Sequence, residues 1–209
     1  MKKKKITSVF FLTLKKYFDI DAHFYNSNIE NIYLHKKLIN FRKEEPKKFS
    51  SFYDELQLNA SFRSIFYGKK FLKLFSKILN VKEEFLFING TMFRLDAPND
   101  KRNALDWHQD SAYYEQTYPI YNAAVCWLAV TNNNCKNGTL KFVLKSHNRF
   151  IKTKSKKRDN LYSEQFNCSI SKDEKKLIKD FISSFGDIGI FHMNLKHKSG
   201  KNISKKFRL

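Results

Sequence analysis

Cysteine is scarce: the chain has three, Cys126, Cys135 and Cys168. The count is odd and no C-x-x-C spacing occurs, which excludes a disulfide framework and a zinc site of the finger type. Reduced thiols fit a cytoplasmic protein. Long apolar runs are missing too. Lys2 to Lys5 followed by Ile6 to Leu14 resembles the opening of a signal peptide. The run is short, Lys15-Lys16 ends it, and no small-residue cleavage site follows. It is far too short to span a bilayer, so no membrane span is expected. There is no internal repeat, and no low-complexity segment beyond the lysine run. Nucleic-acid binding lacks its signs as well: the Lys and Arg residues are spread along the whole chain, and no DNA- or RNA-binding motif appears.

Acidic residues are half as many as basic ones, 20 against 40, for a net charge of +20. That balance favours anionic partners, such as a phosphorylated, CoA-linked or sugar-linked small molecule. The plainer reading is a solvated lysine surface, in a composition rich in Lys, Asn, Ile and Phe as in AT-rich genomes. At 209 residues the chain is expected to be one domain with a sizeable core.

Residues 1–84 read as a helical region. From Asn59 to Asn80, Phe62, Ile65, Phe66, Leu72, Phe75 and Leu79 recur at helical spacing with lysines on the other face. A core-facing amphipathic helix is predicted, with a membrane-surface role as the minority reading. His23 and His35 have no second ligand at a metal spacing and are read as structural or surface residues. After Glu84 the pattern changes. Residues 85–90 and 91–95 read as strand segments with a break at Gly90, and residues 96–106 as a loop. Residues 121–130 are predicted to form a buried strand, 139–144 another, and 150–167 an exposed loop. Ser171 with Glu174 three residues on is a helix start, extended by Leu177, Ile178 and Phe181. Ser184 to Gly186 breaks it; 188–191 and 202–209 read as strands. Helices followed by many short strands predict an α+β, mainly β layout with a sandwich or barrel.

The chain is organised around Trp107-His108-Gln109-Asp110. Residues two apart on an extended strand face one side, so His108 and Asp110 present an imidazole and a carboxylate together, with Gln109 turned away. These are two of the three ligands of a 2-His-1-carboxylate triad, which holds non-haem Fe(II) and leaves positions open. The second histidine must come from His147, His192 or His197. An arginine shortly after such a histidine, as Arg208 follows His197, can hold a dicarboxylate co-substrate by its two-pronged guanidinium.

Four pieces in order resemble the phytanoyl-CoA dioxygenase family of Fe(II)/2-oxoglutarate oxygenases. They are Trp107-His108-Gln109-Asp110; Cys126 to Val130 with Asn137-Gly138-Thr139-Leu140; Ser146-His147; and Gly186-Asp187 through His197-x-Ser199, Asn202-x-Ser204 and Arg208. The resemblance covers residues 85–209. It implies a double-stranded β-helix (a cupin-like jelly roll) over 85–209, with the amino-terminal helices packed outside. It implies Fe(II) held by His108, Asp110 and His197, with 2-oxoglutarate as co-substrate and O2 as oxidant. Arg208 would bind the distal carboxylate of 2-oxoglutarate, Ser199 would hydrogen-bond beside it, and Trp127 would line the co-substrate site or act as a plain core aromatic. His147 is read as structural, and His192 as a core residue or one beside the site. The activity implied is hydroxylation of a small organic substrate with release of succinate and CO2. In halogenating relatives a small residue replaces the carboxylate, so Asp110 favours hydroxylation. The alternative reading is a non-catalytic or degraded binding protein of the same family, on the same jelly roll.

Two departures stand out. Leu144-Lys145 replaces the family's Pro-Gly before Ser-His. The chain also stops one residue after Arg208, where family members continue. A short, frayed terminal strand and a truncated frame are therefore expected.

Overall fold

The computed structural model describes residues 2–17, 29–100, 104–114, 122–151, 156–157 and 164–209. His23, Tyr121 and most of the 150–167 segment lie outside them. Internal contacts divide the chain into two compact units. One is Met1–Leu95 with Lys205–Phe207 and Leu209; the other is Asp96–Ser204 with Arg208.

The first unit is helical: α1 (Lys2–Lys15), α2 (Ile32–Glu44), α3 (Pro46–Leu58), α4 (Ala60–Arg63) and α5 (Lys69–Leu79). The run that resembles a signal-peptide opening is α1. Its Ile6, Phe10 and Leu14 recur every four residues and are buried, so the segment is a core helix with lysines at its start. Asn31 and Asn59 cap α2 and α4 with their side-chain oxygens. Pro46, at the first position of α3, sits where a missing N–H is harmless. The core is built from phenylalanine edges and faces. Phe10 lies 5.9 Å from both Phe52 and Phe93, and Phe49 stacks on Phe207 at 6.0 Å.

Two sequence expectations fail here. The helix expected from Asn59 to Asn80 is broken into α4 and α5 by a turn through Tyr67 and Gly68; Gly68, poor inside a helix, starts α5 as its cap. Residues 85–95 are not strands. A single 3-10 turn at Glu83–Phe85 leads into an irregular segment whose Phe85, Phe87 and Met92 are exposed. Their alternation is strand-like, but no strand ladders with them among the described residues. Of the two readings of His35, structural or surface, the structural one holds: it is fully buried, and its Nδ1 accepts from the Phe207 N–H at 3.1 Å.

Burial, with Lys206 adding to it, pushes the His35 pKa down from 6.5 to about 4; Glu30 and the Ile29 backbone pull weakly the other way. The unfolded chain therefore binds a proton below pH 6.5 that the folded chain refuses until about pH 4. Stability is full above that window and falls as pH drops through it, by at most about 3 kcal/mol. Chemical denaturation across the window is expected to show this slope in the wild type and a flatter one in His35→Gln; equal slopes would assign the effect to other groups.

The second unit carries antiparallel sheets. Strand β1 (Ala124–Leu128) pairs with β6 (Ile188–His192), with Trp127 opposite Gly189. Strand β2 (Leu140–Val143) lies between β5 (Ile178–Asp180) and β7 (His197–Ser199). Two short strands, β3 (Lys156–Lys157) and β4 (Glu164–Gln165), pair with each other. The capping box of Ser171 and Glu174 is present, but its helix, α6 (Lys172–Lys176), stops before Leu177. Ile178 belongs to β5, because Val143 faces it across the ladder. Strand β1 is half-buried rather than buried. The expected 202–209 strand is absent; Asn202 and Arg208 instead make isolated bridges to Asn137 and Asp96.

A tight place brings the carboxy-terminal segment against the turn before β2. Gly138 has φ +82°, and a Cβ there would lie 2.8 Å from the Asn202 nitrogen and the Gly200 oxygen. Only glycine combines that conformation with that approach. Lys145 takes φ 62° where the family has glycine, so the turn before Ser146 survives its departure from Pro-Gly with a left-handed lysine, at a strain of about 1–2 kcal/mol.

Candidate metal centre

His108 and His197 face each other as a bridge pair. The His108 N–H donates to the His197 carbonyl and the His197 N–H to the His108 carbonyl, each at 3.0 Å. Residues paired this way project to one face. Their rings lie 4.2 Å apart between centroids. Both histidines are buried. Gln109 is extended, and Asp110 opens a 3-10 turn, Asp110–Ala112. The carboxylate thereby returns to the histidine side, as the i, i+2 argument expects, though from a turn and not a strand.

The result is one cluster. His108, Asp110 and His197 each offer a ligand atom, and these atoms all lie within 4.8 Å of one another. His108 Nε2 is 3.5 Å from Asp110 Oδ1, and His197 Nε2 is 3.7 Å from Asp110 Oδ2.

The tautomers follow from the backbone. His108 Nδ1 lies 2.6 Å from the Asp106 carbonyl, and His197 Nδ1 lies 2.9 Å from the Leu195 carbonyl. A carbonyl only accepts, so each Nδ1 carries the proton, which leaves Nε2, on the Asp110 side, as the nitrogen able to ligate. Two lone pairs and a carboxylate converging at these distances form a donor set for a cation. Phe191 packs 5.1 Å from the His197 ring and Tyr113 5.7 Å, edge-on, from the His108 ring. Burial, reinforced by the Asp110 carboxylate, raises the Tyr114 pKa.

Gln109 is the residue that sequence reasoning missed. It is turned away from the cluster as expected, but into the interior. Its Nε2 donates to the Arg149 and Asn194 carbonyls at 2.7 and 2.6 Å, and its Oε1 accepts from the Ile151 N–H at 2.9 Å. These bonds fix the segment between the histidine and the aspartate. A buried amide on the far face of an extended segment was the available signal.

Ser199 and Trp127 gather about Arg208. Arg208 is buried, not frayed. Its Nε donates to Asp96 Oδ2 at 3.0 Å, and its Nη2 to the same oxygen. Trp127 lies under the guanidinium, 5.4 Å from centroid to carbon. Arg208 and Ser199 line one recess with Asp96, Asp100, Gly200 and Asn202; His197 is not among the residues that line it. His147 is exposed in a 3-10 turn, its ring 5.9 Å from that of His192. His192 is half-buried on β6, where its Nδ1 accepts from the Asn194 N–H.

The phytanoyl-CoA dioxygenase family model matches residues 18–209. The chain belongs to that family. The phytanoyl-CoA dioxygenase family uses Fe(II) and 2-oxoglutarate, and the His108, Asp110 and His197 donor set suits such an ion. No curated protein matches in sequence. Among solved structures, the apo form of the non-haem monooxygenase ThoJ is similar at 19% identity and a TM-score of 0.58, over 86% of this chain and 65% of that one. EctD from S. alaskensis in its apoform is similar at 16% identity and a TM-score of 0.55, over 84% and 64%. EvdO2 from Micromonospora carbonacea var. aurantiaca, complexed with 2-oxoglutarate, gives 16% and 0.51, over 70% and 59%. This family member thus shares the fold of these proteins and spans at most 65% of their length. No helix among the described residues is long and apolar enough to cross a membrane.

Proposed function

We propose that this chain is an Fe(II)- and 2-oxoglutarate-dependent oxygenase that hydroxylates a small organic substrate, releasing succinate and CO2. The observation that carries this reading is the convergence of two Nδ1-protonated histidines and Asp110 within 4.8 Å. His108 and His197 offer neutral nitrogen lone pairs, and Asp110 adds the anionic oxygen that sets the charge of the site. Fe(II) with 2-oxoglutarate supplies the activation of O2 and the attack on a C–H bond. Phe191 and Tyr113 keep water from the rings. Arg208 and Ser199 hold the distal carboxylate of the co-substrate, and Trp127 braces the guanidinium. The underlying architecture is a double-stranded β-helix, of which the β1–β6 and β5–β2–β7 sheets are parts. The excess of basic residues supports an anionic substrate. Cys126, Cys135 and Cys168 are unbridged, in keeping with a cytoplasmic setting.

A second reading, a non-catalytic relative, is favoured by one observation: Arg208 already holds the Asp96 carboxylate. Turnover separates the two. Purified protein with Fe(II), ascorbate and 2-oxoglutarate under air is expected to release succinate, at a slow uncoupled rate without substrate and faster with a true one. No iron-dependent succinate above the chelated control, across a panel of anionic substrates, would favour the binding protein.

A further inference from the structure

Asp96 and Arg208 are joined at three levels. Their backbones exchange two hydrogen bonds of 3.0 Å. Their side chains form the ion pair at Oδ2. The Asn202 amide donates to the Asp96 carbonyl at 2.9 Å and fixes where the aspartate stands. Asp96 is 9% exposed and Arg208 2%. Ser199 opens on the same recess. The carboxylate found beside Arg208 and Ser199 is thus the protein's own.

We propose that Asp96 is an internal competitor for the co-substrate: its carboxylate occupies the guanidinium that would otherwise take the distal carboxylate of 2-oxoglutarate, and so lowers the affinity of the site and its preference for a dicarboxylate. The inference rests on the function proposed above. The physical reason is charge. Asp96 and Arg208 form a buried pair of zero net charge. A second carboxylate on the same guanidinium sets two like charges to share one cation in a poorly solvated place. The incoming anion must displace Asp96 or bear its repulsion, and either weakens binding. An oxo acid without a distal carboxylate does not meet Asp96 at all.

The test titrates 2-oxoglutarate and 2-oxobutyrate, anaerobically and by calorimetry, into the iron-loaded full-length chain and its Asp96→Asn variant. Asparagine keeps the shape and can still accept from Arg208, but it removes the charge. Affinity for 2-oxoglutarate is expected to rise about ten- to a hundred-fold, with that for 2-oxobutyrate unchanged. The ligand-free variant should melt earlier than the wild type and gain more from saturating 2-oxoglutarate. Asp96→Ser, smaller and still polar, is the second variant should Asp96→Asn fail to fold, with the same gain expected. Unchanged affinity in the variant would overturn the proposal, and weaker affinity would make Asp96 an orienting residue for Arg208 instead. Iron-loaded protein that binds 2-oxoglutarate in neither form would sink the functional reading itself, and the competitor role with it.

Discussion

An Asp110→Ala variant is expected to lose iron-dependent succinate release by at least about a hundred-fold, since merely disturbing the residues around a metal ligand costs ten- to a hundred-fold. Asp110 is the one carboxylate of the cluster. Without it the proposed site is two neutral imidazoles, which hold Fe(II) weakly and leave its charge uncompensated. The scaffold should survive, because His108 and His197 are tied to each other through the backbone and not through Asp110. Asp110→Asn is the sharper control, since it keeps the volume and removes the charge. Anaerobic Fe(II) titration should show the loss of affinity in both variants while thermal melts of the metal-free proteins stay close to the wild type. Full activity in either variant would remove Asp110 from the ligand set.

The second large effect is expected at Arg208. Replacing it with Lys keeps one positive charge and removes the planar fork. Loss of a charge-assisted pair should weaken 2-oxoglutarate binding by about 1.5–3 kcal/mol, or about ten- to a hundred-fold. Iron affinity should barely change, because a guanidinium has no lone pair to offer the ion. The ion pair with Asp96 sharpens the prediction. A lysine ammonium can still meet the Asp96 carboxylate, but it cannot present a second pair of parallel N–H groups to another anion. Anaerobic titration of 2-oxoglutarate into both iron-loaded proteins reads the difference. Equal affinities would mean that Arg208 serves only the internal pair.

Two thirds of the cluster was legible in the sequence because His108 and Asp110 are close along the chain. His108 and Asp110 face one side whether the segment is a strand or a strand entering a turn. The family likeness nominated His197 among three candidates, and the bridge to His108 brings it to the same face. The capping box at Ser171 was legible for the same reason: it is contained in four residues. What failed depends on partners. Residues 85–95 carry a strand-like alternation, yet alternation specifies a face and not a neighbour. Leu177, Ile178 and Phe181 suit a helix, but β2 offers Ile178 a ladder, and tertiary pairing overrides propensity. The break between α4 and α5 was hidden by a continuous apolar stripe. The union of Asp96 with Arg208 had no sequence signal, since nothing local announces which distant carboxylate an arginine will find.

The paired backbone hydrogen bonds between His108 and His197 have a consequence for how this protein can be assayed. Side chains on a strand alternate with a period of two. A one-residue slip of the His197 segment would therefore turn the imidazole to the opposite face and set Lys196 or Lys198 against Asp110. Such a chain would keep its strands and much of its burial, and its circular dichroism would hardly change. Its affinity for a divalent ion would collapse, because an ammonium would stand where the second nitrogen ligand belongs. Metal titration can thus serve as a gauge of strand alignment, able to tell a correctly threaded sheet from a compact but misaligned one in a refolded or heavily substituted preparation.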